Sequence, residues 1–140
     1  MIMSDPINTG AYLRELLDAL VANLHAQLAA AGHSVIRPSH GWVFQYITDE
    51  GSRVTELAAK AGITKQSMSA LVYQLEEWGY LAPKPDPADR RAQLYCLTSK
   101  GTELRKLGRG INQRFEQQWA QKLGVARYQQ FRECLQVLGQ

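Results

Sequence analysis

What this chain has little of narrows its function before any motif is read. It contains only two cysteines, Cys96 and Cys134. Two cannot build a disulfide framework or a cysteine-based zinc site, so a reducing, cytoplasmic setting is expected. No long apolar run is present, because Arg14, Glu15 and Asp18 interrupt the first leucine-rich segment, which argues against a membrane span. The opening MIMSDPINTG lacks a basic stretch followed by an apolar run, so no secretory leader is expected. His25, His33 and His40 do not stand at metal-ligand spacing with the cysteines or in an HExxH pattern, and neither metal nor cofactor is expected. There is no GxSxG, no phosphate-cradling glycine loop and no cysteine in an evident basic setting. A catalytic reading therefore has no residues to stand on, and the chain is read as a non-enzyme.

What is present is the balance of a single globular chain: 140 residues, 45% hydrophobic and 21% charged. The net charge of +3 is mild but uneven. Residues 1–70 carry five basic and six acidic groups, residues 71–140 eleven and seven, which is compatible with a polyanionic partner. Leu13, Leu16, Leu17, Leu20, Val21, Leu24 and Leu28 recur at spacings of three and four, predicting a first helix over 12–28 with one apolar stripe. Pro38-Ser39 opens a second helix whose Trp42, Phe44, Tyr46 and Ile47 are expected to be mostly core, with Gly51 ending it. Helices over 54–61 and 64–78 follow, then short strands at 80–82 and 93–97 around a non-helical, charged hairpin tip. Leu104, Leu107, Ile111, Phe115 and Trp119 mark a long helix from Thr98 or Ser99, and Tyr128, Phe131, Leu135 and Leu138 a last one. The fold class is mainly α, of the α+β kind.

Residues 54–73, VTELAAKAGITKQSMSALVY, meet the demands of a helix-turn-helix. Leu57 and Ala58 face inward, Ala58 is small enough for close crossing, and Gly62 suits a left-handed turn. Ile63, Met68 and Leu71 fill the space between the helices. On the second helix Met68, Leu71, Val72, Leu75 and Trp78 share one side, while Gln66, Ser69, Ala70 and Tyr73 lie opposite with Lys65 and Ser67 beside them. Short polar groups, an amide and a lysine suit a major groove, where glutamine pairs with adenine and lysine or serine reaches guanine or phosphate. Ser39 and the capping Thr64 complete the candidate contacts. At the hairpin tip, Asp89 is expected to hold the Arg91 guanidinium for a narrow minor groove, with Arg90 on phosphate.

ELAAKAGITKQSMSALVYQLEEWGYL followed by DPADRRAQLYCLTSKG resembles the MarR family of bacterial winged helix-turn-helix transcriptional regulators. The likeness runs through 12–138 in element order and is specific over 55–101. It implies a single chain (1–140) with a DNA-binding lobe at 35–97 and a helical dimerisation region at 8–31 plus 98–140. It further implies a homodimer, a recognition helix at 64–78, a wing at 83–93, and a ligand-responsive repressor on a palindromic double-stranded DNA operator. Ala70 and Gln74 stand where many relatives carry basic residues, which shifts readout toward Lys65, Gln66, Ser67 and Ser69. Family members often sense aromatic ligands or oxidants. His33, His40, Trp42, Tyr46 and Trp119 are the candidate effector pocket for a small aromatic ligand, whereas no reactive cysteine lies near the N-terminus. The alternative is a helix-turn-helix that docks on a protein partner, which has no evident need of paired arginines at the hairpin tip.

Overall fold

The structure is a computed structural model that describes residues 7–140; the opening residues 1–6, on which the expectation of no leader partly rests, lie outside the described residues. The element order is α1 (Thr9–Ala30), a single 3-10 turn (Pro38–His40), α2 (Gly41–Tyr46), α3 (Val54–Ala61), α4 (Lys65–Glu77), β1 (Leu81–Asp86), β2 (Asp89–Leu97), α5 (Ser99–Leu123) and α6 (Val125–Leu138). The fold is mainly helical with one two-stranded antiparallel sheet. Among the described residues no helix is long and apolar enough to cross a membrane. The chain divides into two compact units, residues 28–107 and residues 1–27 with 108–140.

The first of these is the lobe that carries the helix-turn-helix. Its core is built from Val43, Ile47, Leu57, Ala58, Met68, Val72, Leu75, Tyr80, Leu81, Tyr95 and Leu104, all buried. Spacings of three and four on α4 put Met68, Val72 and Leu75 on one line, and all three are fully enclosed; Leu71 and Trp78, expected on the same side, are half-buried. Gly62 ends α3 with φ +69°, a left-handed conformation that only glycine adopts without strain. Its N–H and that of Ile63 close onto the Ala59 and Ala58 carbonyls. Thr64 then caps α4, accepting from the Ser67 N–H at 3.1 Å.

The short helix α2 departs from expectation. It spans only Gly41–Tyr46, and its inner line is His40, Val43 and Ile47, not the aromatic residues. Trp42 is 42% exposed and stacks on half-buried Tyr46 with rings 6.4 Å apart, while Phe44 is half-buried against Tyr80. Three-residue periodicity starting from His40 leaves Trp42 on the outer side.

The hairpin is longer than its sequence suggests. Pro83 and Pro85 argue against a strand, yet both lie within β1, opposite Tyr95 and Gln93. Proline is tolerated where the backbone N–H would point away from the partner strand. That is the situation at the Pro83–Tyr95 pair: the Tyr95 N–H and C=O turn outward and bond Ser52, each at 2.9 Å. The strands therefore reach Asp86 and Asp89, and the turn is Pro87-Ala88.

The LTSKG motif fastens the start of α5 within the same lobe. The Thr98 hydroxyl donates to the Gly79 carbonyl at 2.6 Å and accepts from the Gly101 N–H at 3.1 Å. Its backbone N–H bonds the Tyr80 carbonyl. Gly101 passes so close to that carbonyl that an added Cβ would overlap it.

In the second unit, α1 to residue 27, α5 from residue 108 and α6 bring together Ile111, which is buried, and an edge-on Phe115–Trp119 pair 5.5 Å apart. The Glu116 carboxylate ties α5 to α6 by accepting from the Tyr128 hydroxyl at 3.0 Å and from Arg132 at 3.2 Å. Much of this unit's apolar surface stays open: Leu17 is 58% exposed, Val137 70% and Leu138 80%.

Candidate nucleic-acid interface

The capping bond at Thr64 sets the angle at which α4 leaves the turn, and its outward face follows from the buried line on the other side. Lys65, Gln66, Ser67, Ala70, Tyr73 and Gln74 are exposed, Tyr73 at 57%. Ser69 is half-buried, set further toward the core than the wheel suggests. Thr64 is exposed, and its hydroxyl also donates to the Ser67 hydroxyl at 2.9 Å, so these two act first on the helix end. Ser39 is exposed in the 3-10 turn of the same lobe. No acidic side chain lies on α4 before Glu76.

The hairpin adds Lys84, Arg90 and Arg91, all exposed. The expected pairing of Asp89 with the Arg91 guanidinium is not what the structure contains. The Asp89 carboxylate accepts instead from the Arg91 backbone N–H at 3.0 Å, an Asx-type turn that shapes the tip and leaves the guanidinium free of it. The reason is proximity: two residues on, the backbone N–H lies within reach of a short side chain, whereas the long arginine stem carries its head away.

The wing's strong carboxylate is Asp86, which the sequence reading passed over. It is buried, and one of its oxygens receives both the Arg53 Nε at 2.8 Å and Nη2 at 2.5 Å. The other accepts from the Ala88 N–H at 2.9 Å. The Ala88 bond first, and the Arg53 guanidinium second, hold the Asp86 carboxyl below its ordinary value, while Arg53 is raised by the same pairing. Arg53 directly precedes α3, so the pair ties the wing base to the start of the helix-turn-helix. The only sequence signal was a lone arginine 33 positions away from an aspartate, and nothing in the spacing joins them.

Four of the five candidate effector residues lie in the lobe that carries the helix-turn-helix. His40 is 1% exposed and both ring nitrogens are engaged, Nδ1 by the Arg37 N–H and Nε2 by Gln74. His33 Nδ1 lies 2.6 Å from the Tyr80 hydroxyl. Burial raises the Tyr80 hydroxyl above its ordinary value. Trp42 and Tyr46 form the exposed stack described above. Trp119 belongs to the other unit, where it shares a groove with Glu116, Tyr128, Phe131 and Arg132. Cys96 is half-buried, 3.7 Å from the Glu50 carbonyl, and Cys134 is exposed. Among the described residues no three His, Cys, Asp or Glu side chains converge as a metal site would require.

Residues 36–92, the segment from the end of the α1–α2 connection to the wing, match the sequence model of the MarR family. The transcriptional regulator Tm0710 of Thermotoga maritima is 29% identical, over 93% of this chain and 90% of that one, with a TM-score of 0.63. CouR of Rhodococcus jostii RHA1, solved with p-coumaroyl-CoA, is 23% identical over 94% and 91%, with a TM-score of 0.74. MepR of S. aureus, solved with DNA, is 18% identical over 94% and 96%, with a TM-score of 0.76. No curated protein sequence matches the chain. The helix-turn-helix and wing segment is thus similar to the MarR family, and the fold is shared over nine-tenths of the chain with the transcriptional regulator Tm0710 and with CouR and MepR.

Proposed function

We propose that this protein is a sequence-specific DNA-binding regulator without enzymatic activity, which binds a palindromic operator as a homodimer and represses until an effector binds. The observation that carries this reading is one lobe presenting two suitable surfaces: the outer face of α4, free of acidic groups before Glu76, and a hairpin tip whose Arg90 and Arg91 have no ion-pair partner among the described residues. In the major groove Lys65 and Gln66 are the leading readers, with Ser67, Ser69, Tyr73, Thr64 and Ser39 toward the backbone. Arg91 enters the minor groove from a tip shaped by Asp89, and Arg90 lies on phosphate. MepR, of the same fold, was solved on DNA. The open apolar faces of α1 and α6 supply the surface for a second copy. An aromatic effector is supported by the exposed Trp42–Tyr46 stack and by the p-coumaroyl-CoA of CouR.

The test is selection of bound sequences from random duplex DNA at fixed salt. Enrichment of an inverted repeat with half-sites about one helical turn apart is the expected result. Absence of both enrichment and retention would hand the α4 face to a protein partner instead.

A further inference from the structure

One side chain on the outer face of α4 already has its hydrogen-bonding choice made by the fold. The Arg37 backbone N–H, which can only donate, lies 2.9 Å from His40 Nδ1, so that nitrogen presents its lone pair. The ring proton then resides on Nε2, and Nε2 is 2.9 Å from Gln74 Oε1. His40 is buried and Trp78 meets its ring edge-on at 5.4 Å, which holds the imidazole in this orientation. An amide whose oxygen is occupied from one side offers its NH2 group on the other. Gln74 is exposed, and no acceptor among the described residues bonds its Nε2. Eight positions after Gln66, it stands roughly 12 Å further along the helix and about 80° round from it, at the edge of the exposed face.

We infer that Gln74 is a DNA contact whose orientation is set by His40: its NH2 group is turned to an acceptor, either a phosphate oxygen or a purine N7, O6 or thymine O4 edge. His40 acts here as a positioning residue. The inference rests on the DNA-binding reading above, but its chemical core, the tautomer, is testable without DNA.

Two measurements on the full chain decide it. Long-range proton–nitrogen NMR correlation of the imidazoles should show His40 as the Nε2–H tautomer; an Nδ1–H ring would overturn the relay. Binding is then compared on the selected operator duplex and on a random-sequence duplex at one salt concentration. Gln74→Ala should weaken binding about tenfold, the loss of one good contact. Gln74→Glu, which still accepts from His40 but turns a carboxylate oxygen outward, should be weaker than Gln74→Ala. Equal loss on both duplexes assigns the acceptor to phosphate, and loss confined to the operator assigns it to a base edge. Gln74→Ala binding both duplexes like the parent, or Gln74→Glu binding no worse than Gln74→Ala, would overturn the contact. A parent that binds neither duplex removes the DNA reading and this contact together, while the tautomer measurement stands apart.

Discussion

At the scale of single residues, the wing depends on which carboxylate meets which donor. Asp89 and Asp86 look equivalent in DPADRR, but only Asp86 is buried and paired with a guanidinium. Its folded-state carboxyl sits below the ordinary value of about 3.9 for a free aspartate. Such a group stabilises the folded state fully above the unfolded value, and that contribution disappears as pH falls through the lower folded value. Urea unfolding followed from pH 7 to pH 2 should therefore show the parent losing stability below about pH 4. Asp86→Asn should be less stable than the parent at pH 7 and show a shallower acid loss. Parallel curves for the two proteins would remove Asp86 from this role. None of this was legible in the sequence, where the eye goes to the adjacent Arg90 and Arg91; the partner came from the far end of the lobe's own fold.

At the scale of elements, the helix-turn-helix was the most legible part. A left-handed turn, a cap and an apolar line are local demands, and Gly62, Thr64 and the line from Met68 to Leu75 answer them within a few residues. The strands were less legible, because whether Pro83 and Pro85 are tolerated depends on where the partner's hydrogen bonds go, and that is settled by Ser52, outside the hairpin. The second helix was misread for a related reason: aromatic residues signal burial on average, but the inner line of α2 was taken up by His40, Val43 and Ile47. Gly101, by contrast, was a motif position without a mechanism until the Tyr80 carbonyl appeared beside it. Gly101→Ala should cost on the order of 1–3 kcal/mol, the range for forcing extra atoms into a packed site, read as a lower urea midpoint. An unchanged midpoint would mean that α5 shifts freely at its start.

At the scale of the whole molecule, the proposed dimer rests on apolar surface that a single chain leaves open. Val125, Val137 and Leu138 on α6 are 70%, 70% and 80% exposed, and Leu13 and Leu17 on α1 are 43% and 58% exposed. Large apolar side chains left this open on two helices are the kind of surface that a partner covers. Sedimentation of the parent at micromolar concentration should give a dimer, and Val137→Asp with Leu138→Asp should shift it toward monomer and lower affinity for an inverted repeat at least tenfold, since one half-site is then lost. A parent that sediments as a folded monomer would remove the two-fold symmetry from the proposal. The stripes that predict these helices are plain in the sequence. What covers them is not, because periodicity reports that a face is apolar and says nothing of whose surface it meets.

The Ser52–Tyr95 bridge and the Arg53–Asp86 pair join neighbouring residues before α3 to opposite strands of the hairpin. The wing is thereby cross-braced, so that rocking it away from α3 would break bonds on both strands at once. On DNA, as proposed, such a lobe would behave as a fixed-gap caliper, its two jaws being α4 and the hairpin tip. It would measure the rise from major to minor groove as well as the bases themselves. Duplexes whose local twist or groove width departs from that gap would be disfavoured even with every contacted base in place, a selectivity for DNA form that comes from stiffness alone.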